Sequence, residues 1–404
     1  MKQELLDRFL RYVRVYTPSN ENSDTSPSTQ YQFDLAYMLE KEMKQMGIHD
    51  VYVDENCYVY GSIPACEGCE AMPSIGFIAH MDTVSECCNK PVVPLIHENY
   101  NGENIPLPEN GITIRVKDFP ELKKMQGRTL ITSDGSTILG SDDKAGVAEI
   151  MTMADQVLKQ DFPHGRICIA FTPDEEIGSG ADLLDLQRLG ADFAYTVDGD
   201  LEGSLEYETF NAASAKITIQ GVNVHPGSAK DIMVNAAAVA CELQGMLPPL
   251  EQPAYTEGYE GFFHLTHISG EVEKASMHYI IRDHDRARFE ERKMLMCSIC
   301  NSLNEKYGEG TITAEISDTY YNMAEILKDH MYLIERAKNA IRQIGLEAHI
   351  TPIRGGTDGS KLSFRGLPCP NLGTGGEGFH GPYEHISLEG MELVVKEMLQ
   401  IIRG

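Results

Sequence analysis

Hydrophobic runs of strand length in this chain repeatedly stop at an acidic residue or a histidine. Ser74-Ile-Gly-Phe-Ile-Ala79 runs into His80-Met-Asp82. Arg166-Ile-Cys-Ile-Ala-Phe-Thr172 ends at Pro173, and Asp174, Glu175 and Glu176 follow at once. Phe193-Ala-Tyr-Thr-Val197 ends in Asp198-Gly-Asp200, and Ile138-Leu-Gly-Ser141 leads into Asp142-Asp143-Lys144. Apolar runs of this length, bounded by turn residues, read as buried strands. Between them the period changes. Residues 1–13, 30–47 and 145–160 carry apolar positions at helical spacing, the second stretch closing near Gly47. Val51–Tyr60 reads as one further strand. The alternation predicts an α/β fold with a mixed, largely parallel sheet flanked by helices. Residues 86–128, rich in Pro, Asn and Gly, read as a long excursion with short strands.

After Thr209 the pattern changes character. Ser214–Gln220 alternates like a half-buried strand, and Phe262–Ile268, Ala275–Ile281 and Thr311–Ile316 read as three more. Asn235–Met246 and Phe289–Tyr307 read as helices. Together they predict a four-stranded, two-helix α+β unit inserted in the larger domain. Met323–Ile344 then reads as a single helix returning to that domain. The expected division is 1–208 with 324–404 for the larger domain, and 209–323 for the insert.

Composition narrows the function. A chain of 404 residues is long for one hydrophobic core, which agrees with two domains. A formal net charge of −27 disfavours nucleic acid or an anionic membrane as partner. No apolar run approaches the roughly 18–20 residues of a membrane span. The amino-terminal stretch has charges throughout and lacks the pattern of a signal peptide, so a cytoplasmic protein with reduced thiols is expected. Two Cys-x-x-Cys pairs, Cys66/Cys69 and Cys297/Cys300, raise a four-thiolate zinc site. They lie far apart, and the second pair sits on a helix-like run, so the expectation is against such a site.

The strand ends carry the chemistry. Adjacent carboxylates repel, and a divalent cation is the natural neutraliser. A glycine-rich stretch, Gly373-Thr-Gly-Gly-Glu-Gly378, adds His380 near the carboxyl end. Two imidazoles with three or more carboxylates suit zinc, manganese or cobalt better than calcium. Taken singly, each element could be a solvated acidic turn. Their recurrence at strand ends favours a metal site.

His80-Met-Asp82, Gly140-Ser-Asp142-Asp-Lys144, Asp174-Glu175-Glu176, Asp198 and His380 resemble the signature of the M20 metallopeptidases. The resemblance covers nearly the whole chain in order. It implies two zinc ions per subunit, with cobalt or manganese as substitutes. It also implies that Asp142 bridges them, that His80 and Asp198 complete one site, and that Glu176 and His380 complete the other. Asp143 remains an alternative to Asp142, and His385 to His380. By resemblance and position Glu175 is the general base, and Asp82 is expected to fix the His80 tautomer. The segments around His225-Pro-Gly-Ser228, Arg282-Asp283 and Arg354-Gly-Gly-Thr-Asp-Gly-Ser360 resemble the tripeptide-cleaving branch of the family. There the insert is a ferredoxin-like lid that also makes a homodimer. The resemblance gives His225 to the oxyanion. Arg282 and Arg354 are candidates for the substrate carboxylate, with Asn235 beside them. The expected function is therefore removal of the N-terminal residue from tripeptides. A dipeptidase, aminoacylase or carboxypeptidase of the same family is the alternative.

Overall fold

In the computed structural model, which describes residues 1–160 and 162–404, the buried strands sort their side chains into two layers. Along Ile167–Thr172, Ile167, Ile169 and Phe171 join one apolar cluster, while Cys168 and Ala170 join another. Successive strand side chains point to opposite faces, so a strand buried on both sides must be apolar throughout. The first cluster takes in the inward stripes of the helices Lys2–Tyr12, Gln32–Met46, Ser141–Lys159, Met331–Gln343 and Leu388–Arg403. Spacings such as Leu35, Leu39, Met43 and Met391, Val394, Val395, Met398 place those residues on one helical face. The second cluster lies under Leu186–Leu189 and Asp358–Phe364.

The sheet between these layers has eight strands. Their order is 49–53, 59–63, 167–172, 75–80, 193–199, 371–373, 204–206, 349–350. The four from 167–172 to 371–373 are mutually parallel, and antiparallel pairing enters on either side. This is the mixed, largely parallel sheet that the alternating pattern implies. The 86–128 excursion contributes Pro94–His97 to a separate antiparallel sheet, in the order 376–377, 385–387, 130–133, 94–97.

Two expected elements are broken in the structure. Val51–Tyr60 is not one strand. It is a hairpin of His49–Val53 and Val59–Ile63. The Asp54 carboxylate accepts the N–H groups of Asn56 and Tyr58, and Cys57 turns into the left-handed region at φ 73°. A local side-chain turn thus outcompetes β propensity. Met323–Ile344 is likewise two helices, Ala324–Leu327 and Met331–Gln343. The first turn closes when Asp329 and His330 donate their N–H groups to Ile326 and Leu327.

Contacts divide the chain into two compact units. The first is Met1–Tyr207 with Ile326–Thr351 and Thr357–Gly404; the second is Glu208–Glu325 with Pro352–Gly356. Within the second, a four-stranded antiparallel sheet runs in the order 262–270, 274–283, 211–220, 312–320. Ala236–Met246 and Arg286–Tyr307 share its buried cluster, including Ile217, Ile219, Met277 and Ile281. The chain order β-α-β-β-α-β is the ferredoxin-like one. Its helices start at side-chain caps: Asn235 accepts the Ala238 N–H and Asp285 that of Arg288.

Candidate metal centre

Parallel strands bring their carboxyl ends to one edge of a sheet, where loops are free to carry chemistry. In the first unit, 75–80 lies between 167–172 and 193–199, with His80 opposite Thr172. That edge therefore collects His80, the Asp174–Glu176 loop and Asp198. Asp142 arrives from the start of the helix Ser141–Lys159, and His380 from the loop joining 376–377 to 385–387.

These five groups meet. His80 Nε2 is 2.9 Å from Asp142 Oδ1 and 3.4 Å from Asp198 Oδ1. His380 Nε2 is 3.1 Å from Asp142 Oδ2 and 3.2 Å from Glu176 Oε2. Each oxygen of Asp142 thus faces a different imidazole, and each imidazole has a further carboxylate of its own. Ligand atoms of His80, Glu175 and Asp198 also lie within 4.8 Å of one another, as do those of His80, Asp142 and Glu176. Asp143 faces elsewhere: its carboxylate accepts the N–H groups of His80 and Gly146, at 3.1 Å each. His385 is buried away from the five, with Nδ1 donating to the Tyr383 carbonyl at 2.8 Å.

Asp82 is fully buried and does two things at once. Its Oδ1 lies 3.3 Å from His80 Nδ1, which also donates to the Asp82 carbonyl at 3.1 Å, leaving Nε2 for the cluster. Its two carboxylate oxygens accept the N–H groups of Glu175 (3.0 Å) and Glu176 (3.2 Å). One side chain therefore orients both the histidine and the acidic loop.

So many acids in one buried place perturb each other. Burial opposes a charge on His80, yet Asp198, Asp142 and Asp82 outweigh it and hold the imidazole well above its usual pKa. Hydrogen bonds to Asp142 and Glu176 push His380 up to about 11. Burial, then the neighbouring Asp142, pushes Glu176 up to about 7. Burial, then Asp198, holds Glu175 well above the carboxylate range. The crowded negative charge favours proton uptake at these groups, and a cation would offset the same charge. Glu176 Oε1 is buried with no hydrogen-bond donor, an orphaned oxygen that a cation would satisfy. Imidazole and carboxylate together match zinc, manganese or cobalt.

Three further acids take part whose partners the chain pattern does not reveal, although Asp174 and Asp358 lie within motifs that it does show. The Glu384 carboxylate accepts four donors from the Asp142 loop: the N–H groups of Leu139, Gly140 and Asp142 and the Ser141 hydroxyl. Asp174, at φ 58°, accepts the Ser28 N–H at 2.7 Å, the Ser28 hydroxyl and the Gln32 amide. Asp358 accepts the Thr172 hydroxyl at 2.8 Å.

His225, Asn235, Arg282 and Arg354 all fall in the second unit. His225 is exposed and its Nδ1 accepts the Gly227 N–H. Asn235 serves as the helix cap described above. Arg282 donates to the carbonyls of Ala213 and Ile281, and lies over Tyr320. Arg354 donates to the carbonyls of Gly258 and Glu260 and to the Thr256 hydroxyl, with Phe210 beneath it. All ten cysteines are free thiols, and none belongs to a cluster of metal-competent side chains among the described residues.

The model of peptidase family M20/M25/M40 matches residues 138–404. A protein named Peptidase T from Caldanaerobacter subterraneus is 52% identical over 99% of this chain and 98% of its own. The crystal structure of an aminopeptidase PepT from Bacillus cereus superposes with a TM-score of 0.79 at 22% identity, covering 100% of this chain and 98% of that one. A Bacillus subtilis structure described as a dinuclear metal binding peptidase from the M20 family has a TM-score of 0.64 at 15% identity, over 99% and 98%. The chain belongs to peptidase family M20/M25/M40.

Proposed function

We propose that this family member is a metal-dependent aminopeptidase that removes the N-terminal residue from tripeptides. The names and near-complete coverage of its Peptidase T relatives support the substrate class. The observation that carries the metal reading is the division of Asp142 between two histidines, each with its own second carboxylate. In this reading Asp142 would be shared between two metal ions, with His80 and Asp198 to hold one and Glu176 and His380 to hold the other. Zinc, with cobalt or manganese as substitutes, would fit this set and, when bound, would supply an acidified water and a polarised carbonyl.

The protein's own groups do the rest. Glu175 accepts a proton from the attacking water as the new C–O bond forms. It returns that proton to the amine as the C–N bond breaks. Asp82 keeps His80 in one tautomer and fixes the amides of Glu175 and Glu176, so base and ligand hold their spacing. His225 donates a hydrogen bond to the developing oxyanion. Arg282 and Arg354, with Asn235, receive the substrate's terminal carboxylate, exchanging it for the carbonyls the arginines now hold. The second unit acts as the lid and as the contact of a homodimer. A cytoplasmic setting, where the ten thiols stay reduced, belongs to the same proposal.

The test is turnover on one matched peptide set, with metal assayed on the same sample. Cleavage of a free tripeptide in preference to a dipeptide, a tetrapeptide and an N-acetylated tripeptide, with about two metals per chain, is expected. Preference for the acetylated peptide or the dipeptide would move the enzyme to another branch of the family.

A further inference from the structure

An aminopeptidase must tell a free ammonium group from an acylated one. Removing an ammonium from water is costly unless an anion receives it, so the site needs a carboxylate that nothing else has claimed. Most acids at the sheet edge are claimed. Asp82 holds the two amides of the acidic loop, Asp143 holds those of His80 and Gly146, and Asp174 is saturated by Ser28 and Gln32. Glu384 holds the Asp142 loop. Among the acids whose charge bears most on Glu175 are Asp198, Asp358 and Glu176. Two of these are the metal ligands of the reading above. Asp358 is left.

Its surroundings are built for a carboxylate. Asp358 is only 4% exposed, and its Oδ2 accepts the Thr172 hydroxyl. Thr172 is the strand partner of His80, so this anchor lies one strand spacing, about 4.8 Å, from the backbone of the metal-competent histidine. Gly180 supplies the room: a Cβ there would sit 2.5 Å from both Asp358 oxygens. Asp358 opens the helix Asp358–Phe364, whose Leu362 packs in the layer opposite the helix that carries Asp142. It therefore approaches the strand end beside His80 from the side of the sheet opposite the Asp142 helix. No lysine or arginine pairs with it among the described residues, and Oδ1 accepts no hydrogen bond among them.

We infer that Asp358 receives the substrate's free amino terminus, and so sets the requirement for it. The inference rests on the aminopeptidase reading. It is tested with the full-length, metal-loaded enzyme on a tripeptide and on the same peptide with the amino group replaced by hydrogen. Binding of a non-cleavable tripeptide analogue, with and without its amine, is measured by calorimetry alongside. Asp358→Asn keeps the shape and an acceptor for Thr172. It is expected to lower kcat/KM for the free tripeptide by about 100-fold, while changing the rate on the des-amino peptide by less than about 3-fold. Metal content should stay unchanged, and the amine should no longer improve analogue binding. Should Asp358→Asn fail to fold, Thr172→Val removes only the anchoring hydroxyl, and a loss of about 5-fold confined to the amine-bearing peptide is expected. Equal losses on both peptides, or none, overturn the inference. A wild-type enzyme that ignores free tripeptides and cleaves N-acetylated ones overturns the aminopeptidase reading and this inference with it. A wild type that demands the amine, beside an Asp358→Asn that still demands it, overturns the inference alone.

Discussion

One helix, Ser141–Lys159, carries acids at two places that behave in opposite ways. At its start, Asp142 lies between two histidines and is held below the usual carboxylate range, because His380 and His80 outweigh its burial. About two turns further on, Glu149 is fully buried, and neither of its oxygens has a hydrogen-bond partner. Glu397, on the packed helix Leu388–Arg403, is in the same condition. Burial, and for Glu149 then the charge of Glu397, pushes both well above the carboxylate range. Both places are desolvated, so burial alone does not make a metal site. The difference is the pair of imidazoles and the convergence of carboxylates from separate strands. Asp142, set between two imidazoles, is shifted towards its charged form and can take part in holding a cation. Glu149 and Glu397, with no such partner, are shifted towards their neutral forms.

Removing the metal should have the largest effect. Chelation is expected to abolish peptide turnover, with recovery on adding back zinc, cobalt or manganese. Full activity in a metal-free sample would erase the distinction between the two acid clusters. Glu175→Gln should come next, lowering kcat by about 10³-fold with metal content intact. The same loss in Glu149→Gln would break the comparison from the other side. Asp174→Ala should cost about 10–100-fold by loosening the Glu175–Glu176 loop from Ser28 and Gln32, visible in kcat and in weakened metal retention together. Glu149→Gln should have the smallest effect and show it in stability. A carboxyl whose folded pKa is raised binds more protons folded than unfolded, so its contribution is full below about pH 4.5 and falls as pH rises towards the folded value. Glu149 should thus lower wild-type stability as pH rises from mild acid through neutral, and Glu149→Gln should remove that contribution, up to about 1.4 kcal/mol of unfolding free energy per pH unit, seen as a flatter Tm–pH curve. Parallel Tm–pH curves for the two proteins would show that Glu149 is ionised in the fold.

The strand ends were legible because each is a local event. A short apolar run followed by His80, by Glu175–Glu176 or by Asp198 can be read within ten residues. The partners of the acids around them were not legible, since those partners are distant in sequence. Glu384 is 243 residues from Ser141, Asp358 is 186 from Thr172, and Asp174 is 142 from Gln32. Nothing in a linear pattern says which distant donors such acids receive. The hairpin at Asp54 was hidden for a different reason. A single side chain capturing two amides reverses a run whose composition suits a strand. The break after Leu327 similarly depends on which carbonyls the amides of Asp329 and His330 find, not on the apolar spacing. Within the second unit, alternation was clear because one sheet face is covered and the other is not, as the burial along Asn211–Gln220 shows.

The five groups around Asp142 enter the chain in the order His80, Asp142, Glu176, Asp198, His380, and the last comes after every strand of the parallel core. Synthesis runs in that direction, and domains form as their segments emerge. A growing chain can therefore pair its strands and gather four of the groups long before the fifth exists. On the proposed reading, a partly made copy is chemically silent towards peptides, including its own exposed end. Hydrolysis becomes possible only when the loop carrying His380 has left the ribosome and closed against Asp142, so the arrival of that one loop, and not the pairing of the sheet, marks the birth of activity.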